Sequence, residues 1–188
     1  MIIGDEMNTF ICITICIIII LLLVIWFISV YNVFQDYIIR INEVDANIDT
    51  SLRKRFDLLM KANEVITSIL DLKKDALPEI KKLKDDKKIS SFDLDRKLYE
   101  SLDTYYGMRE EYPQLKENAD FVKTDIEIHN SESEIGAYRR YYNDCITKYN
   151  KLIKSFPSSV VALLTRQKVK NYFDGKNLYD DNIDDFKL

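Results

Sequence analysis

Residues 121–156 read FVKTDIEIHNSESEIGAYRRYYNDCITKYNKLIKSF. Within them Phe121, Thr124, Ile128, Ser131, Ile135, Tyr138, Tyr142, Cys145, Tyr149, Leu152 and Phe156 follow at alternating intervals of three and four. That spacing keeps one face of an α-helix turned the same way, whereas a strand needs a period of two. Sustained over five heptads, it predicts a long helix from about Glu117 whose stripe packs against neighbouring helices in bundle or coiled-coil fashion.

Reading upstream, Tyr112-Pro113 marks a corner, because the residue before a proline is pushed out of the helical region. Ahead of it, Ser90, Ser91 and Asp93 make a helix start, with Phe92, Leu94, Leu98, Leu102, Tyr105 and Tyr106 for its inner face. Further back, Tyr37, Ile41, Val44, Ile48, Leu52, Leu58 or Leu59, Ala62, Ile66, Ile69 and Leu72 recur at helical spacing. One helix to about Lys74 is expected. Pro78 permits a fresh turn, and Lys81 to Lys88 (KKLKDDKK) reads as a solvated helix end or connection. Downstream, Phe156-Pro157 ends the long helix, and Ser158 or Ser159 is placed to cap a short one holding Val160, Val161, Leu163 and Leu164.

Composition agrees with an all-α chain. Only 4 of 188 residues are Gly and 3 are Pro, too few tight-turn residues for a sandwich or barrel. Apolar residues make up 47% and charged ones 31%, so the chain buries enough surface to order itself. The net charge of -4 lacks the basic excess that neutralises a phosphate backbone, which argues against nucleic acid as a partner.

Phe10 to Val30 are 21 consecutive residues without a charge. At 1.5 Å per residue they reach about 31 Å, the thickness of a hydrocarbon core. Sixteen are Ile, Leu, Val or Phe, worth roughly -5 to -8 kcal/mol on the insertion scale. A cleaved signal peptide fits poorly, since the run is too long, Asp5 and Glu6 precede it and no small-x-small site follows. No Lys or Arg precedes the span, while Arg40, Arg53, Lys54 and Arg55 follow it, which favours a cytoplasmic body. Trp26 and Tyr31 fall at headgroup level.

Catalytic chemistry is poorly supplied. His129 is the single histidine, and it lies sixteen residues from Cys145 on one helix, about 24 Å at the helical rise and too far for proton transfer. Cys12 and Cys16 sit in the span without a third ligand, so neither a metal site nor a disulfide framework is expected. No glycine-rich phosphate loop is present, and no cofactor is implied. Eight of the twelve tyrosines lie between Tyr99 and Tyr149; buried phenols need partners, and Asn143 and Asn150 are candidates. Asp49 and Arg53 are spaced for an i, i+4 pair. Charges near the inner faces suggest that Arg55, Asp57, Glu132 and Arg139 form a network fixing helix register, since a lone buried charge is costly.

Several short strings carry a family resemblance: Tyr31-Asn32, Arg55-Phe56-Asp57-Leu58, Tyr112-Pro113-Gln114-Leu115, Glu132 to Ile135, Arg139 to Asn143 (RRYYN), Tyr149-Asn150, Phe156-Pro157 and Tyr172-Phe173. In order and spacing they resemble the LemA family. The match loosens after Leu58, where the family usually has a proline-containing turn, and over Asp71 to Lys88. The resemblance implies a bacterial single-span membrane protein, amino terminus outside, with a cytoplasmic up-and-down helical bundle and no assigned activity.

The sequence therefore predicts a short tail (1–9), a transmembrane anchor (10–31), a bundle domain of about four helices, at least two of them long (32–175), and an acidic tail (176–188). The expected role is a non-enzymatic scaffold or adaptor in the cell membrane, touching lipid through residues 10–30 and a protein partner through the bundle. A carboxylate-only membrane enzyme and a homo-oligomeric coiled coil are the alternatives.

Overall fold

The computed structural model describes the backbone of residues 2–83 and 89–173, and side chains from Phe10 onward except Phe92. The acidic tail and the end of the Lys81 to Lys88 stretch lie outside the described residues. Among those described there are five α-helices and no strand: α1 (Ile2–Ile69), α2 (Pro78–Leu83), α3 (Ser91–Glu111), α4 (Ala119–Lys154) and α5 (Ser158–Leu164), with a 3-10 turn at Pro113–Glu117.

The helix ends have identifiable chemical causes. At the end of α1, Asp71 takes a left-handed φ of 49°, and the Asp71 and Leu72 amides donate to the Ser68 and Thr67 carbonyls. This Schellman closure stops the helix before Lys74. Ser90 caps α3: its hydroxyl accepts from the Asp93 amide and donates to the Asp93 carboxylate, satisfying an orphan donor of the first turn. Asn118 does the same for α4, accepting from the Asp120 and Phe121 amides. Ser158 does not cap α5. Its hydroxyl turns back to the Leu152 and Ser155 carbonyls, closing α4 instead.

The chain divides into two compact units, Met1–Arg40 with Cys145–Asn171, and Ile41–Asp144 with Tyr172–Leu188. In the second, α4 runs antiparallel to α1, since Ser51 meets Glu134 and Arg55 meets Ser131. It also runs antiparallel to α3, since Asp95 meets Arg139 and Tyr105 meets Asp125. Ser91 reaches Asp49, so α3 starts back beside the middle of α1 and rises parallel to it. The return segment containing α2 is tied at its far end by Asn63, whose amide accepts from the Leu77 N–H at 2.7 Å and donates to Asp75 at 3.1 Å. An up-and-down bundle results. Its core holds Val44, Ile48, Leu52, Leu59, Ala62 and Ile66 of α1, Leu94, Leu98, Leu102 and Tyr105 of α3, and Phe121, Ile128 and Ile135 of α4.

In the first unit, α1 presents Phe34, fully buried, to the edge of the Tyr149 ring at 5.8 Å between centroids. Cys145, Ile146, Val161 and Ala162 are buried with them. The expected stripe of α4 therefore holds from Phe121 to Tyr149. It fails at Phe156, which is 84% exposed. α4 ends at Lys154, and helical period no longer dictates the side a residue faces beyond the last turn. Of the described residues, those of α1 beyond Phe10 include the one stretch long and apolar enough to cross a membrane, and every residue from Phe10 to Ile25 is exposed.

Candidate functional site

The most concentrated polar chemistry lies inside the second unit, on a seam where α1, α3 and α4 meet. Arg55 continues the inner stripe of α1, three residues past Leu52 and four before Leu59, and is only 3% exposed. Its Nε donates to the Ser131 hydroxyl of α4 at 3.4 Å, and Ser131 donates onward to the Ile128 carbonyl. Asp95 of α3 is equally buried, forming an ion pair with Arg139 of α4.

Burial dominates the electrostatics. It pulls the Arg55 pKa below the ordinary arginine value, with Asp95 and Glu132 opposing the shift and Arg139 adding to it. It pushes the Asp95 carboxyl above the ordinary aspartate range, against the pull of Arg139 and Arg55. Two guanidinium groups and two carboxylates thus lie near one another with no net charge among them; Arg55 and Asp95 are buried, Arg139 is half-buried and Glu132 is exposed. Glu132 is further engaged by Tyr106, whose hydroxyl donates to it at 2.9 Å; burial first, then this carboxylate, pushes the Tyr106 phenol up to about 12.

A second polar device adjoins the seam. Asn143 accepts from the Phe173 amide at 2.7 Å and donates to the Phe173 carbonyl at 3.0 Å. Phe173 is thereby laid against Arg139, whose guanidinium stands 5.6 Å from the ring centroid, a cation–π contact. Arg139 Nε is buried with no hydrogen-bond partner among the described residues, so the ion pair and the ring share the work of holding that charge. In the first unit Asn150, one heptad further along α4, clasps the Lys170 backbone in the same two-bonded way at 2.8 and 2.9 Å.

Of the residues expected to form a network, Arg55, Glu132 and Arg139 are brought together. Asp57 is not: it is exposed, and no hydrogen bond or ion pair reaches it among the described residues. Two residues along a helix turn the side chain by about 200°, so Asp57 leaves the face that Arg55 occupies. Its place is taken by Asp95. That residue is three before Leu98 on the inner stripe of α3, a register signal by which a carboxylate can be placed inside. Asn143 lies at the edge of the seam, gripping backbone. The hydroxyls of Tyr105, Tyr106 and Tyr149 meet Asp125, Glu132 and Gln167. The surface pair Arg53–Asp49 forms at 2.8 Å.

These features define an all-α bundle, with a buried Asp95–Arg139 ion pair, whose first helix includes an apolar stretch long enough to cross a membrane. The chain belongs to the LemA family, whose model matches residues 45–183. No curated protein matches it. The family strings acquire physical roles here. Arg139 and Asn143 of RRYYN and Tyr149-Asn150 hold the seam and the returning segment at Phe173 and Lys170, and Arg55 of Arg55-Phe56-Asp57-Leu58 completes the seam from α1.

Proposed function

We propose that the protein is a single-pass cell-membrane scaffold: residues 10–30 cross the bilayer, the amino terminus lies outside, and the bundle displays a protein-binding surface on the cytoplasmic side. The observation that carries this reading is the unbroken course of α1 from Ile2 to Ile69. One helix carries both the apolar run and a core-forming stripe. Seam side chains are committed to one another, which supports a structural role over a catalytic one. The absence of basic residues before the span and the presence of Arg40, Arg53, Lys54 and Arg55 after it support the orientation.

Protease treatment of intact cells tests the orientation: the bundle should survive outside digestion and be cleaved once the membrane is opened. Digestion from outside would overturn it. Crosslinking in intact cells, followed by purification in mild detergent, should return one partner in constant proportion to the chain. Recovery of the chain alone would remove the scaffold role, and recovery as a defined homo-oligomer would replace it with self-assembly.

A further inference from the structure

The α4–α5 corner of the first unit has an outer surface that water does not explain. α5 buries Val161 and Ala162 on its inner side, yet its outer side carries Val160, Leu163 (79% exposed) and Leu164 (66% exposed). Phe156 lies bare beside them. A short helix that is apolar on both sides is ordinarily sunk in an apolar medium.

Its height relative to α1 identifies the medium. Phe34 packs against Tyr149, and Phe34 stands four residues past Val30, about 6 Å beyond the end of the apolar run. The headgroup layer occupies roughly 5–8 Å on each side of the hydrocarbon. Past Tyr149, α4 runs five more residues, a rise of ~7.5 Å, which is the rise on α1 from Phe34 back to Ser29. The pattern of exposure on α1 agrees: every residue from Phe10 to Ile25 is bare, whereas Trp26, Phe27 and Val30 are partly covered. The corner thus stands beside the last turn of the apolar run.

Its charge is one-sided as well. Cys145 to Asn171 contains Lys148, Lys151, Lys154, Arg166, Lys168 and Lys170 and no Asp or Glu, in a chain whose net charge is -4. Lys151, Lys154, Arg166 and Lys168 are exposed and meet no carboxylate among the described residues. From Phe10 to Arg40 the sole carboxylate of α1 is Asp36, which pairs with Arg40.

We infer that the α4–α5 corner is a second membrane contact: Phe156, Val160, Leu163 and Leu164 enter the acyl boundary of the anchor's own bilayer, and Lys151, Lys154, Arg166 and Lys168 take anionic headgroups around them. An apolar face rimmed with Lys and Arg is the pattern of interfacial helices, and each such cation near an anionic surface contributes about 1 kcal/mol. The inference rests on residues 10–30 being the span. It adds that the first unit meets the leaflet at two points, the span and the corner.

Tryptophan quenching by brominated lipid in vesicles tests this on the full chain, with Trp26→Phe removing the native fluorophore. In vesicles containing phosphatidylglycerol, Leu163→Trp should shift its emission to the blue and lose intensity when the acyl chains carry bromine. Leu22→Trp, within the apolar run, should be quenched too, and Ile126→Trp, in the second unit, should not. Quenching at Leu163 should weaken in phosphatidylcholine, and Lys151→Glu with Lys154→Glu and Lys168→Glu should abolish that lipid difference. Quenching at Leu22 without Leu163 overturns the second contact while leaving the span intact. Quenching at neither removes the span and this inference with it. A blue shift that ignores bromine and grows with protein concentration assigns the face to a second copy. A lipid difference that survives charge reversal overturns the anionic-headgroup contact.

Discussion

Arg139 of α4 forms an ion pair with Asp95 of α3, at a point where Arg55 of α1 is also buried. Three helices therefore place charge at one level of the bundle, and sliding any of them by a turn would strand a charge in apolar surroundings. Desolvation offsets much of the attraction within such a group, so its expected effect is on register more than on net stability.

Removing one member should accordingly cost more than removing all. Asp95→Ala leaves two guanidinium groups facing each other and is expected to destabilise the bundle by about 3–5 kcal/mol. The triple change Arg55→Met, Asp95→Leu and Arg139→Met is expected to lie within about 2 kcal/mol of the parent, because well-packed apolar replacements of buried ions are often nearly neutral. Urea unfolding followed by circular dichroism measures both. Independent small losses adding up to the triple value would mean the charges act separately.

Asn143 leads to a prediction about the chain's return. Asn143→Ala removes both amide bonds to Phe173 and with them the ring that covers Arg139. A loss of about 2–3 kcal/mol is expected for the two bonds, with faster hydrogen exchange at the Phe173 amide and unchanged exchange in the middle of α1. Equal acceleration in both places would show a global effect.

Alkaline pH should loosen the α3–α4 contact. The Tyr106 phenol is raised to about 12 and Tyr105 is raised further, in both cases by burial first and then by an accepting carboxylate. A raised pKa means that the folded state holds the proton more tightly, so this stabilisation is complete below about pH 10, the unfolded value. For Tyr106 it is lost as pH climbs from 10 through 12. Phenolate absorbance should show late ionisation that Tyr106→Phe reduces, and the variant's stability should decline less steeply over that window. An unchanged slope would mean the hydroxyl is hydrated.

Most of the fold was legible because a helix writes its buried face into its spacing. The stripe from Phe121 to Tyr149, the corner at Tyr112-Pro113 and the start at Ser90 all follow from local geometry. The misses have two physical origins. Charged residues are solvated by default, so composition does not mark Asp95 as buried although its position on α3 matches the inner register. Neighbours in a motif also invite reading as one group, yet Arg55 and Asp57 point to different sides. What Asn143 and Asn150 hold is backbone some twenty to thirty residues away, a pairing that no periodicity encodes. Phe156 extends the stripe in number, but it lies past the helix that gave the number meaning.

Gly107 offers a change expected to strengthen the bundle. It sits inside α3, three turns or more from the start, and a Cβ built there meets nothing within 4 Å. Glycine in a helix interior gives the unfolded chain freedom that alanine lacks, at a cost of about 1 kcal/mol. Gly107→Ala should raise stability by about that amount, a thermal midpoint increase of roughly 2–4 °C for a domain of this size. Gly136→Ala on α4 provides a comparison, because its Cβ would touch Arg140 Nη1 at 3.7 Å, an ordinary contact. A gain at both positions would identify backbone entropy as the common cause, whereas a loss at Gly107 would show that this part of α3 lies closer to a neighbour than the packing described above allows.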